Sequence, residues 1–65
     1  MRILVNEEPR EVSTATLAAL LDELGYGGAR VATAVNGDFV PVSRRAALTL
    51  DEGARVEILA PMQGG

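Results

Sequence analysis

The side chains that most enzymes use for proton transfer and nucleophilic attack are missing from this chain. Its 65 residues include no His, no Cys and no Lys. It therefore has no near-neutral base, no thiol nucleophile and no amine able to form a Schiff base. The same absence removes the soft ligands that hold zinc or copper. Nine acidic residues and six arginines remain, but no pair of carboxylates stands out as a catalytic dyad. The expectation is a protein that is not an enzyme, with no catalytic residue, no metal site and no bound cofactor. What draws attention instead is the end of the chain, Gly64-Gly65. At ordinary glycine usage, two terminal glycines arise by chance in roughly one chain in 200. Frayed ends also finish in glycine, so the weight of the pair depends on what precedes it.

What precedes it is a short α+β pattern. Met1, Ile3 and Val5 alternate with Arg2, Leu4 and Asn6, the period of a half-buried strand. Asn6-Glu7-Glu8-Pro9 reads as a turn, and Arg10-Glu11-Val12 as the returning strand of a hairpin. Leu17, Leu20, Leu21 and Leu24 then recur at helical spacing and line one face of a helix. Thr16 is placed to cap that helix, with Thr14 as the alternative, and Gly25 to end it. Gly27-Gly28 is a connector, because a phosphate-binding loop would need a preceding strand and a following Lys-Ser/Thr. Val31, Thr33 and Val35 alternate with Ala32 and Ala34 up to Asn36-Gly37, a strong hairpin signal. Phe39-Val40 starts the return strand, and Pro41 confines it to a sheet edge. Residues 43–49 lack a clear period and have room for a helical turn. Asp51-Glu52-Gly53 is another tight turn before the last strand, where Val56 and Ile58 alternate with Glu57 and Leu59.

The predicted order is strand, strand, helix, strand, short strand, strand, with one helix packed on one face of a mixed sheet. The last strand is expected beside the first, so that both apolar-alternating strands lie in the middle. Residues 1–60 form one domain and residues 61–65 a flexible tail. A chain this short supplies a core worth roughly 3–5 kcal/mol, so no part can be spared for a second domain. The core must be aliphatic, since Tyr26 and Phe39 are the only aromatic residues. A net charge of −3 argues against a phosphate-neutralising surface, and Arg44-Arg45 is too short a basic cluster to reverse that, so no nucleic-acid partner is expected. No apolar run approaches the ~20 residues needed to span a bilayer, and the start of the chain reads as a strand rather than a signal peptide. The expected location is the cytoplasm, without membrane attachment.

Thr16-Leu17-Ala18-Ala19-Leu20-Leu21, Val35-Asn36-Gly37-Asp38-Phe39-Val40-Pro41, and Asp51-Glu52-Gly53-Ala54-Arg55-Val56-Glu57-Ile58 leading to Gln63-Gly64-Gly65 carry a resemblance. Over essentially its whole length the chain resembles the ubiquitin-like β-grasp proteins, and most closely the ThiS family of sulfur carriers in thiamine biosynthesis. Val42 and Arg45 stand where that family often has an arginine and an aromatic residue, which bears on partner contacts through that loop. The resemblance implies that an adenylating enzyme of the ubiquitin-activating type (ThiF-like) uses ATP and Mg²⁺ to activate the Gly65 carboxylate. Sulfur from a persulfide protein then replaces AMP and leaves a thiocarboxylate, which thiazole synthase (ThiG-like) consumes. Under that reading Met62, Gln63 and Gly64 form the extension that enters the partner's active site. Glycines suit it because they add no side-chain width and tolerate either sign of φ.

If Met1, Ile3, Val5, Val56 and Ile58 face the helix, then Leu4, Ala34 and Leu59 face outward on the opposite side of the sheet and are candidates for a partner-binding patch. The same tail chemistry would also serve a carrier for molybdopterin or another thiolation pathway, or a ubiquitin-like protein modifier. A plain β-grasp interaction or RNA-binding domain is the alternative from a different class. The acidic charge and the diglycine end count against it.

Overall fold

The computed structural model describes residues 1–27 and 30–60. In chain order these form β1 (Arg2–Val5), β2 (Glu8–Glu11), α1 (Leu17–Glu23), β3 (Ala32–Val35), β4 (Asp38–Val40), a 3-10 turn at Val42–Arg44, and β5 (Arg55–Leu59). The five strands make one sheet in the order β2-β1-β5-β3-β4. β1 and β5 run parallel, and every other neighbouring pair is antiparallel. The first and last strands therefore occupy its centre, where their alternating side chains can be covered. Ile3, Val5, Val56 and Ile58 are buried on the inner side, in one cluster with Leu17, Leu20 and Leu21 of α1. The fold is the mixed-sheet, one-helix α+β arrangement that the sequence predicts.

The helix is only 7 residues long, too short to persist by propensity alone, and its ends are held from outside. At the N-terminus, the Thr16 hydroxyl accepts from the Ala19 N–H at 3.2 Å. The Leu17 and Ala18 N–H groups donate to the carbonyls of Leu48 and Arg45, both at 3.0 Å. Three amides that a helix normally leaves without partners are thus satisfied, two of them by the segment before β5. At the other end Gly25 takes φ +90°, the left-handed value that stops a helix. The N–H groups of Gly25 and Tyr26 turn back onto the carbonyls of Asp22 and Leu21, which closes a Schellman motif.

The N-terminal hairpin is tighter than the sequence predicts. The structure turns on Asn6-Glu7 alone, both with positive φ, and β2 already begins at Glu8. Pro9 is not in the turn but inside β2, opposite Leu4. It is tolerated there because β2 is an edge strand, where a proline need not donate to a neighbour. All four residues of β2 are exposed, so the strand carries no apolar alternation from which its start could be read.

The two hairpin turns share a device. In each, an asparagine takes the first left-handed position, Asn6 at φ 50° and Asn36 at φ 52°. Turning there swings the asparagine's own carbonyl out of the ladder, and its side chain fills the gap. Asn6 Oδ1 accepts from the Ile58 N–H at 2.8 Å, and Asn36 Oδ1 accepts from the Arg55 N–H at 2.9 Å. β5 is held from both sides in this way, by Asn36 at its start and by Asn6 near its end.

The segment between β4 and β5 is anchored by an arginine. Arg45 is only 9% exposed. Its Nε donates to Thr33 Oγ1 at 3.1 Å, and its guanidinium donates again to the Val31 carbonyl at 2.5 Å. The Thr33 hydroxyl in turn donates to the Val40 carbonyl at 2.8 Å. One side chain thus ties the start of β3 and, through Thr33, β4 to the helix-capping segment. Among the described residues, no helix is long and apolar enough to cross a membrane.

Candidate functional site

The outward side of the sheet is built by register. β3 lies between β4 and β5, with Ala34 opposite Phe39 on one side and Glu57 on the other. One step along the same face, Ala32 lies opposite Leu59. Two small side chains on the middle strand thus lie between larger ones on its neighbours. The result is a concavity of about 190 Å³ lined by Ala32, Ala34, Phe39, Leu59, Asn6, Thr33 and Glu57. Phe39 is 69% exposed and Leu59 70% exposed. Glu57 is the one ionisable residue in this lining, and the exposed apolar side chains suit the surface to binding. Covering Phe39 and Leu59 would supply roughly 3 kcal/mol before the cost of association.

The residues singled out from the sequence are distributed as follows. Leu59 and Ala34 share the concavity. Leu4 is half-buried and lies opposite Arg55, at the far end of β5 from Leu59 and outside the concavity's lining. Phe39 is the outward apolar residue that the sequence analysis did not assign to the patch. A signal for it was available: a two-residue Asn36-Gly37 loop pairs Val35 with Asp38, and hence Ala34 with Phe39 on the same face. Met62, Gln63, Gly64 and Gly65 lie outside the described residues, as does Gly28 of the connector. The last described residues, Leu59 and Ala60, border a second shallow depression with Arg30, Val31 and Ala32, next to the apolar concavity that Leu59 and Ala32 also line. Val42, one of the two departures in the loop, is 72% exposed, whereas Arg45 is buried and structural.

Comparison with known proteins adds what geometry does not. The model of the ThiS family matches residues 3–65. This chain belongs to the ThiS family. The crystal structure of a thiamine biosynthesis protein (ThiS) from Geobacter metallireducens superposes with a TM-score of 0.84 at 32% identity, with all of both chains covered. A solution structure of a thiamine biosynthesis protein from the same organism gives a TM-score of 0.80 at 30% identity, over all of this chain and 88% of that one. A thiazole synthase of Paramagnetospirillum magneticum is 38% identical over 66 residues, which span this whole chain but only 20% of that protein. The chain thus spans about a fifth of that curated relative.

Proposed function

We propose that this chain is a cytoplasmic sulfur carrier of thiamine biosynthesis and that Gly65 carries the sulfur. The observation that bears most weight is the family match, which runs through residue 65 and so includes the terminal glycines. The chemistry follows from what a carboxylate needs. It is a poor electrophile, so an adenylating enzyme with ATP and Mg²⁺ first joins its oxygen to AMP and releases pyrophosphate. The terminal sulfur of a persulfide then attacks the carbonyl carbon and AMP departs. A thiol cleaves the remaining S–S bond and leaves the thiocarboxylate. Because the chain has no Cys, no side chain of its own offers sulfur a persulfide site, which supports the terminus as the carrying group. Residues 61–65 act as the extension that delivers it.

Thiazole synthase is the proposed acceptor, supported by the relative of that name that contains a stretch 38% identical to this chain. The outward face with Phe39, Leu59 and Ala34 is the proposed docking surface; Leu4 lies on the same side of the sheet but beyond its lining. The test is mass spectrometry after incubation with an adenylating enzyme, ATP, Mg²⁺ and a persulfide donor. The protein should gain the mass of one oxygen replaced by sulfur, and fragmentation should place the change on Gly65. One residue added after Gly65 should abolish the gain, because the new carboxylate overshoots the site that adenylates it. Sulfur elsewhere on the chain, or full activity with the extended terminus, rules the assignment out.

A further inference from the structure

We infer that Asn6 is a positioning residue that fixes the root of the C-terminal extension; the inference rests on the carrier reading above. β1 ends at Val5 while β5 continues to Leu59, and the last backbone bond from the first to the final strand is Asn6 N–H to the Val56 carbonyl at 2.8 Å. Beyond it Asn6 turns away at φ 50°. Its side chain alone carries the pairing further, and it takes both sides of one residue. Oδ1 accepts from the Ile58 N–H at 2.8 Å and Nδ2 donates to the Ile58 carbonyl at 3.1 Å. Without that amide, Ile58 and Leu59 are paired through β3 alone, opposite Thr33 and Ala32. At the opposite end of β5 the Arg55 N–H and carbonyl are held by Asn36 Oδ1 and the Asn36 backbone N–H, so the grip made wholly by a side-chain amide is the one at Ile58.

The position of that grip matters because a carrier must present its terminal carbon at a fixed reach from its docking face. Asn6 also borders the concavity that includes Phe39 and Leu59, so one side chain joins the docking face to the base of the extension. Loss of the grip leaves Ile58 and Leu59 held by β3 alone, and a looser root spreads the terminal carboxylate over more space. That lowers the fraction of docked complexes in which it is aligned for adenylation. Phe39, Leu59 and Ala34 keep their side chains, so the defect falls mainly on kcat rather than on KM.

The experiment compares Asn6→Gly, Asn6→Asp and Thr16→Ala with the unmodified chain. Glycine keeps the left-handed turn and removes the grip. Aspartate tolerates the turn, keeps the acceptor for the Ile58 N–H and loses the donor. Thr16→Ala removes the helix cap, leaves Asn6 and Ile58 untouched, and serves as the measure of a purely structural loss. Carrier-dependent pyrophosphate release by the adenylating enzyme gives kcat and KM, and amide hydrogen exchange at Ile58 reports the grip. For Asn6→Gly the expected result is faster exchange at Ile58 and a kcat roughly tenfold lower, the effect of about one lost hydrogen bond, with KM within about twofold. Asn6→Asp should fall between, and Thr16→Ala should keep its kcat. Unchanged kcat in Asn6→Gly, or an equal fall in Thr16→Ala, overturns the inference while leaving the carrier reading intact. If the unmodified chain itself releases no pyrophosphate, the carrier reading fails and this inference with it.

Discussion

Replacing Arg45 by methionine tests whether a buried charge holds the middle of this fold together. Methionine keeps the length and apolar stem of the side chain, so little cavity is created and the change isolates the guanidinium. Two effects oppose each other. The Val31 carbonyl loses its charged donor, a bond of the kind worth about 1.5–3 kcal/mol. The Thr33 hydroxyl loses a donor too, but it keeps its own bond to Val40 and is not left unpaired. Against these stands the recovered cost of holding an arginine out of water, which in a deep interior can exceed the value of the bonds. Arg45 borders an open depression beside Asp22 and Tyr26, so its desolvation is partial and the lost bonds should win. The expected net loss is about 2 kcal/mol, a large share of what a core of this size supplies. In urea, with a slope near 1 kcal/mol per molar for so small a domain, the midpoint should fall by about 2 M. Arg45→Lys, with one point-like ammonium in place of the fork, should lose roughly half as much. A methionine variant with an unchanged or higher midpoint would refute the reasoning and show that burial of the charge costs as much as its bonds return.

Leu21→Ala should destabilise by roughly 2–5 kcal/mol, because Leu21 is buried between α1 and the sheet; denaturant unfolding followed by circular dichroism measures it. Glu7→Gly should raise the melting temperature by a few degrees, on the order of 0.5–1 kcal/mol, since Glu7 is held at φ 73°. The exposed ion pair it gives up with Arg55 at 3.5 Å is worth little, and a fall in melting temperature would mean that the turn is not strained. Leu59→Arg should leave the circular dichroism spectrum unaltered while weakening binding to the adenylating enzyme and thiazole synthase, as measured by titration; undiminished binding would remove the docking face.

How much of this was legible in the sequence depended on whether a segment has one wet and one dry side. The helix could be read because Leu17, Leu20 and Leu21 repeat at its period and Thr16 and Gly25 mark its ends. β3 and β4 could be placed because Asn36-Gly37 fixes both turn type and register. β2 could not be delimited: an edge strand exposed along its length has no alternation, and Pro9, which usually breaks strands, is harmless at an edge. Arg45 could not be recognised as buried, since the segment around it has no period and its partners come from β3. At the candidate site, Leu59 and Ala34 followed from strand alternation. Leu4 shares their side of the sheet but not their neighbourhood, because β1 meets β5 at Arg55.

That central pairing also governs when the fold can form. The strands at the heart of the sheet are the first and the last to be synthesised, and the residues that cap the helix precede β5 by only a few positions. A nascent chain can close the two hairpins early, since each needs only local contacts. It cannot complete the core until β5 has left the ribosome, and it must then close a loop spanning nearly the whole chain. Folding of this domain therefore closes with the docking of β5. The strand that roots the proposed delivery arm is also the one that completes the core, so an arm emerging from a well-placed root is found only on a finished molecule.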